Sequence, residues 1–232
     1  MTSRARALLP FLPYLVASIV HVAARFLEHP LDGPTKLLLM PALAIGVLWA
    51  SATIRPWPRG AVLLLVVSVL FSWLGDGSST FFPMFADELP MMLLCFGLAH
   101  VGYLLLMWRA RGVAVRRIPR WALVYAVAYI AMMAVLIPHT GSLTVPVLFY
   151  GLLLAGTAAM ASRCGPVIAW GGAWFLVSDA ILSFRIFLPE AMPSWTSGMV
   201  MLTYALGQGL IAAGVIAALR RRAALEATAG AS

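Results

Sequence analysis

Apolar residues form eight long blocks along the chain, separated by short segments rich in proline, glycine or arginine. A membrane-spanning helix needs about 20 mostly apolar residues, and each block is close to that length. Proline lies near most of the boundaries, as expected for a residue that terminates helices. The predicted spans cover residues 8–27, 36–54, 60–76, 89–108, 121–138, 143–161, 166–188 and 195–219. The pattern predicts an all-α, polytopic transmembrane bundle that forms one integral-membrane domain over residues 1–232.

The composition supports an integral membrane protein and argues against one class of partner, nucleic acids. The chain is 62% hydrophobic and 10% charged, whereas soluble domains carry about 25% charged residues. Its net charge of +8 could indicate nucleic-acid binding, but the arginines lie in short loops between spans, so we expect no nucleic-acid partner. Arg4 and Arg6 precede the first apolar block as in a signal peptide, and we interpret this block as a retained span. Cys95 and Cys164 are predicted on different sides and unpaired.

The basic residues predict the orientation. Only Arg25, Lys36 and Arg185 fall on one side of the predicted bundle, and the other thirteen basic residues fall on the opposite side. By the positive-inside rule, both termini are predicted to be cytoplasmic. We therefore expect a multi-pass protein of the cell membrane, in a bacterium the inner membrane.

Two carboxylates mark the bundle. Asp76 closes the third apolar block and Asp179 lies within the seventh. An ionisable side chain inside a membrane span is costly, so it is a functional candidate. For Asp76 the alternative is that it simply ends a helix in the headgroup layer. The occurrence of two such carboxylates in one bundle favours a functional interpretation.

Other polar residues are predicted at similar depths, between the midplane and the outer surface. At 1.5 Å per residue, Asp179 and Tyr204 lie roughly 14 Å and Tyr150 roughly 10 Å below that surface. His100 and Tyr103 share one helix face by spacing, as do Tyr204 and Gln208. Each of these side chains could instead only link helices by hydrogen bonds.

Lys36, the single lysine, is predicted at the outer start of the second span. It could be an anchor at the membrane interface. It could instead neutralise a phosphate headgroup or keep Asp76 ionised. The histidines are scattered, no Cys-x-x-Cys pair or Gly-x-Ser-x-Gly elbow is present, and we predict neither a metal site nor a cofactor.

Several of these residues fall in short motifs whose order resembles the YhhN-like lysoplasmalogenase family of eight-span membrane proteins. The elements are Thr35-Lys36, Leu74-Gly75-Asp76, Gly97-x-x-His100-x-x-Tyr103, Tyr150, Phe175-x-x-Ser178-Asp179, and Tyr204 with Gln208. The family usually has proline after the lysine, whereas this chain has Leu37. The resemblance therefore does not define the backbone conformation near Lys36.

The resemblance implies a hydrolase that cleaves the vinyl-ether bond of lysoplasmalogens, with a lysophospholipid substrate and membrane lipids as partners. It implies Asp76 and Asp179 as catalytic residues. By analogy with glycoside hydrolysis, the deeper Asp179 is the candidate acid and Asp76, near Lys36, the candidate base. Residues implied to bind or orient substrate or water are Lys36, His100, Tyr103, Tyr150, Ser178, Tyr204 and Gln208. A transporter of small solutes or lipids and a non-catalytic membrane scaffold remain alternatives.

Overall fold

The computed structural model describes residues 8–230 of the 232-residue chain. Within this range it is helical without strands, and eight helices are long and apolar enough to cross a membrane, which confirms the predicted fold class. Arg4 and Arg6 lie outside the described residues. The eight helices are α1 Leu12–Phe26, α2 Asp32–Ser51, α3 Arg59–Asp76, α4 Leu89–Arg109, α5 Leu123–Leu136, α6 Thr144–Ala161, α7 Pro166–Phe187 and α8 Thr196–Ala229.

Two helix limits differ from the prediction in ways that matter later. Helix α2 begins at Asp32, so Lys36 lies one turn inside the helix and Asp32 belongs to its first turn rather than to a loop. Helix α8 continues ten residues beyond 219 to Ala229. Its extension contains good helix formers such as Ala, Leu, Arg and Glu, and Arg222 pairs with Glu226 one turn later.

The final helix forms the centre of the bundle. Two-thirds (67%) of its most apolar stretch is buried, compared with 39% or less in every other span. It packs most closely against α7, where glycines face backbone. A Cβ added at Gly207 would lie 2.8 Å from the Phe175 nitrogen, and one added at Gly171 would lie 2.8 Å from the Ile211 nitrogen. Small residues therefore set the close approach of α7 and α8, which carry Asp179 and Tyr204.

The outer surface of the bundle is apolar. On α5, for example, Leu123, Val127 and Ile130 are each more than 60% exposed, and their spacing places them on one helix face. Such a face suits contact with lipid tails. That both termini lie on one side of the membrane, and that this side is the cytoplasm, remains a prediction.

Candidate active site

The polar residues of the bundle converge on a cavity of about 120 Å³ enclosed by α1, α2, α3, α4, α7 and α8. Five of the sequence-predicted site residues line it: Lys36, Asp76, Ser178, Asp179 and Tyr204. Both carboxylates are buried, with Asp76 9% and Asp179 4% exposed. Two acidic side chains that are distant in sequence therefore face one small space inside the bundle.

Asp76 is the last residue of α3, at the negative end of the helix dipole, where a carboxylate is not favoured. Its Oδ2 accepts a hydrogen bond of 2.7 Å from the Tyr204 hydroxyl, and the cationic Lys36 lines the same cavity. The preceding Gly75 lets α4 approach, because a Cβ there would lie 2.6 Å from the ring of Phe96. Asp76 is thus placed and supported by three other helices rather than merely ending one.

Asp179 lies in the second half of α7 and contacts two aromatic side chains. Its Oδ2 accepts a hydrogen bond from the Tyr150 hydroxyl of α6. The Nε2 atom of His100, on α4, lies 3.8 Å from the same oxygen. The carboxyl group therefore has a hydrogen-bond donor on one side and an imidazole nitrogen on another.

The hydrogen bonds of His100 define its tautomer. The Thr157 hydroxyl donates to the Leu153 carbonyl at 2.8 Å, so its oxygen accepts the bond of 3.1 Å from His100 Nδ1. Nδ1 therefore carries hydrogen, and Nε2 faces Asp179 without a hydrogen bond of its own.

The remaining predicted residues form hydrogen bonds between the helices that surround the cavity. Tyr103 donates to Gln208 Oε1, and Gln208 Nε2 donates to Ser72 Oγ at 2.9 Å, which connects α4, α8 and α3. Ser178 lines the cavity but its hydroxyl donates to the Val200 carbonyl at 2.9 Å. Tyr103 and Gln208 do not line the cavity, so their geometry is that of interhelical hydrogen bonds.

Four lining residues with titratable or charged side chains were not among the predicted site residues: His21, Arg25, Asp32 and Arg185. Arg25 and Asp32 form an ion pair, while Arg185 Nη1 donates to Thr196 Oγ1 at 2.5 Å and to the Pro193 carbonyl at 3.1 Å. The sequence did contain a signal for the arginines. Together with Lys36 they are the only basic residues predicted on the outer side, and all three line the cavity.

Two neighbouring pockets adjoin the cavity, and one has a polar lining whereas the other has an apolar lining. A polar mouth of about 340 Å³ shares Arg25, Asp32, Arg185 and Ser197 with it. A narrow apolar pocket of about 20 Å³ shares Asp179, Met92, Phe96 and Leu182 with it. The other residues of the apolar pocket are Leu89, Leu93, Val147, Tyr150, Ser183, Ile186 and Phe187. Asp179 thus lies where polar and apolar spaces meet.

Metal ligands and reactive thiols are not gathered at this site. Among residues 8–230, no group of three or more His, Cys, Asp or Glu side chains is placed to hold a metal ion. Cys95 and Cys164 are both free. Burial raises the pKa of the Cys164 thiol, in the loop before α7, to about 11, so this thiol is protonated at neutral pH and is a poor nucleophile.

Comparison with known proteins identifies a family. Residues 33–215 match the sequence model of the YhhN family, a range that contains all nine predicted site residues. Comparisons with curated proteins and with solved structures gave no match.

Proposed function

The chain belongs to the YhhN family, which is known for hydrolase activity, and on that premise we propose that it hydrolyses the vinyl-ether bond of lysoplasmalogens. The products would be a fatty aldehyde and glycerophosphoethanolamine or glycerophosphocholine. The observation that carries the proposal is the pair of buried carboxylates, Asp76 and Asp179, lining one small cavity.

The chemistry requires an acid and a base. A proton passes from Asp179 to the alkenyl carbon remote from the ether oxygen, and the π electrons form the new C–H bond. The ether oxygen stabilises the resulting oxocarbenium ion. Water then adds to the carbon bound to that oxygen and gives its proton to Asp76. As the hemiacetal breaks its bond to the glycerol oxygen, Asp76 gives its proton to that oxygen and Asp179 takes the proton of the new hydroxyl group, which releases the aldehyde and restores both carboxyl groups. The sum is the addition of one water molecule, in a sequence parallel to glycoside hydrolysis.

The surroundings of the two carboxyl groups support these roles. Each carboxyl group accepts a hydrogen bond from a tyrosine hydroxyl, Asp179 from Tyr150 and Asp76 from Tyr204. The charge of Lys36 acts on Asp76, and a nearby cation favours the ionised form of a carboxyl group. Asp179 therefore suits the acid and Asp76 the base.

The shape of the space supports an amphiphilic substrate. A lysoplasmalogen has its vinyl ether between a polar headgroup and a long chain. The polar mouth can take the headgroup, and the apolar pocket marks the side on which the chain would leave the cavity. Asp179 lines the cavity and the apolar pocket alike, so the scissile bond would lie beside it.

Hydrolysis by purified protein tests the proposal. We expect the protein in detergent micelles to release aldehyde from an alkenyl lysophosphoethanolamine, and the Asp179→Asn variant to release little. A transporter or a scaffold would bind or move the lipid without releasing aldehyde. Intact substrate after prolonged incubation with folded protein would contradict the enzyme assignment.

A further inference from the structure

The cavity carries more positive charge than acid–base chemistry needs. Its lining contains three cations, Arg25, Lys36 and Arg185, and three acids, Asp32, Asp76 and Asp179. When one of the two catalytic carboxyl groups holds the proton required for the reaction, the lining has one net positive charge. A cavity inside a membrane protein favours a ligand of opposite charge, because unpaired charge is costly there.

Two of the cations have donors to spare. Arg25 is already paired with Asp32. Lys36, in contrast, forms no ion pair or side-chain hydrogen bond within the described part of the chain. Arg185 uses only Nη1 in its hydrogen bonds, which leaves Nη2 and Nε. An ammonium group and the free edge of a guanidinium are the donors that proteins use to bind phosphate.

His21 provides an independent sign of a missing polar ligand. Its ring is completely buried and lines the cavity. The Thr35 hydroxyl donates to the Leu31 carbonyl at 2.6 Å and accepts from His21 Nδ1 at 3.0 Å. Nδ1 therefore carries hydrogen, and Nε2 of the neutral ring is an acceptor without a hydrogen-bond partner among residues 8–230. Buried acceptors are normally hydrogen-bonded, so we expect a bound ligand to donate a hydrogen bond to this nitrogen.

We propose that Lys36, Arg185 and His21 form a recognition site for the glycerophosphate part of the lipid. Lys36 and Arg185 bind the phosphodiester, and His21 Nε2 accepts a hydrogen bond from the free glycerol hydroxyl next to the cleaved ether. The identity of this ligand rests on the proposed function. The phosphate charge balances the surplus positive charge of the cavity, and the hydroxyl satisfies the buried ring nitrogen.

Matched substrates test this site separately from the chemistry. Purified protein is assayed on an alkenyl lysophosphoethanolamine and on the corresponding 1-alkenylglycerol, which lacks phosphate. Removing a charge-assisted contact is expected to raise KM for the phospholipid about tenfold or more in Lys36→Gln and Arg185→Gln. Turnover at saturation and the kinetics on 1-alkenylglycerol should change little in Arg185→Gln. In Lys36→Gln the loss on the phospholipid should exceed the loss on 1-alkenylglycerol, since Lys36 also acts on Asp76. Arg185→Lys, which keeps a charge, should recover part of the loss.

Controls make each outcome decisive. Arg221→Gln replaces an exposed arginine of α8 that does not line the cavity. This variant should show the same kinetics as the unchanged protein. Glycerophosphoethanolamine should compete with the phospholipid, and inorganic phosphate at the same concentration should compete much less. Equal competition by inorganic phosphate would assign the site to a free anion and overturn the lipid assignment. Equal losses on both substrates in Arg185→Gln would overturn the phosphate role.

If the proposed reaction is wrong, the results differ from those expected if only the recognition site is wrong. If neither alkenyl lipid is cleaved, the site is tested by binding alone, with ester-linked lysophosphatidylethanolamine and monoacylglycerol as probes. Tighter binding of the phospholipid that is lost in Lys36→Gln would support the site without the reaction. Equal binding of the two lipids in unchanged protein would overturn it. His21→Ala should weaken binding of the lysophospholipid but not of a diacyl phospholipid, and equal weakening would contradict the hydroxyl contact.

Discussion

The Tyr204 hydroxyl donates a hydrogen bond of 2.7 Å to Asp76 Oδ2, across 128 positions of sequence. This contact joins the central helix α8 to the end of α3 at the wall of the cavity. The hydrogen bond fixes the position of Asp76, a candidate catalytic residue, relative to α8, the most buried helix of the bundle. A change at Tyr204 therefore affects both the packing of the bundle and the proposed base.

Replacing Tyr204 by Phe keeps the ring and removes this donor. We expect about 1–3 kcal/mol less stability, the cost of an unsatisfied buried group, and roughly tenfold slower hydrolysis because Asp76 is less firmly held. Tyr129→Phe is the matched control, because Tyr129 donates to the Leu148 carbonyl at 3.1 Å away from the cavity. Thermal unfolding and turnover are measured for both. Equal activity of the two variants would mean that the Tyr204 contact is structural only.

The contact between α7 and α8 gives a second prediction. A Cβ in Gly207→Ala would lie 2.8 Å from the Phe175 nitrogen, and backbone cannot move aside as a flexible side chain can. Overpacking of this kind costs about 1–3 kcal/mol and would shift Asp179 on α7 relative to Tyr204 on α8. We expect a lower unfolding temperature and reduced hydrolysis. Gly156→Ala meets only a Leu104 methyl at 3.8 Å and should be tolerated, so equal destabilisation would contradict the packing argument.

Helix spacing predicted which side chains share a face but not what they contact. His100 and Tyr103 lie on one face of α4 as expected, with ring centroids 6.5 Å apart. His100 nevertheless points to Asp179 and Thr157, whereas Tyr103 bonds to Gln208. The period of a helix defines positions relative to its own axis. The rotation of that axis against its neighbours depends on packing between helices that are distant in sequence.

The same limit explains the residues missing from the predicted site. Arg25 and Arg185 were visible as exceptions to the charge pattern, but only the adjacency of α1, α2 and α7 places them on one cavity. Asp32 was predicted in a loop because helix ends near glycine and proline are poorly defined by apolar pattern. His21 carried no sequence signal, since a lone histidine in a span more often makes a structural hydrogen bond.

The orientation predicted from the arginines has a direct test. Reporter fusions at the C-terminus and in the loop around Asp87 should lie on opposite sides of the membrane, with the C-terminus cytoplasmic. An alkaline phosphatase and green fluorescent protein pair distinguishes the two sides. Fusions that report the same side at both sites would contradict the eight-span topology, and exchanged signals would reverse the orientation.

Independence from metal ions is a further prediction from the side chains of the site. No metal-binding group is assembled among the described residues, and the proposed roles need only carboxyl groups and water. Incubation with a strong chelator should leave hydrolysis unchanged. Loss of turnover that zinc restores would replace the carboxylate mechanism with a metal-dependent one.

The decisive prediction concerns the two carboxylates. Asp76→Asn and Asp179→Asn keep the shape of each side chain and remove its titrating group. An acid or base is typically worth about 10²–10⁴ in rate, so each variant should lose at least that order of turnover on a lysoplasmalogen. Because the two groups act in one reaction sequence, the double variant should be hardly worse than the worse single variant. Asp87→Asn and Glu190→Gln, at exposed positions outside the eight membrane helices, are the controls and should remain active. If Asp179→Asn kept most of its activity while folding normally, Asp179 could not be the proton donor. The third acid of the cavity lining, Asp32, is already paired with Arg25, so the two-carboxylate mechanism would have to be abandoned.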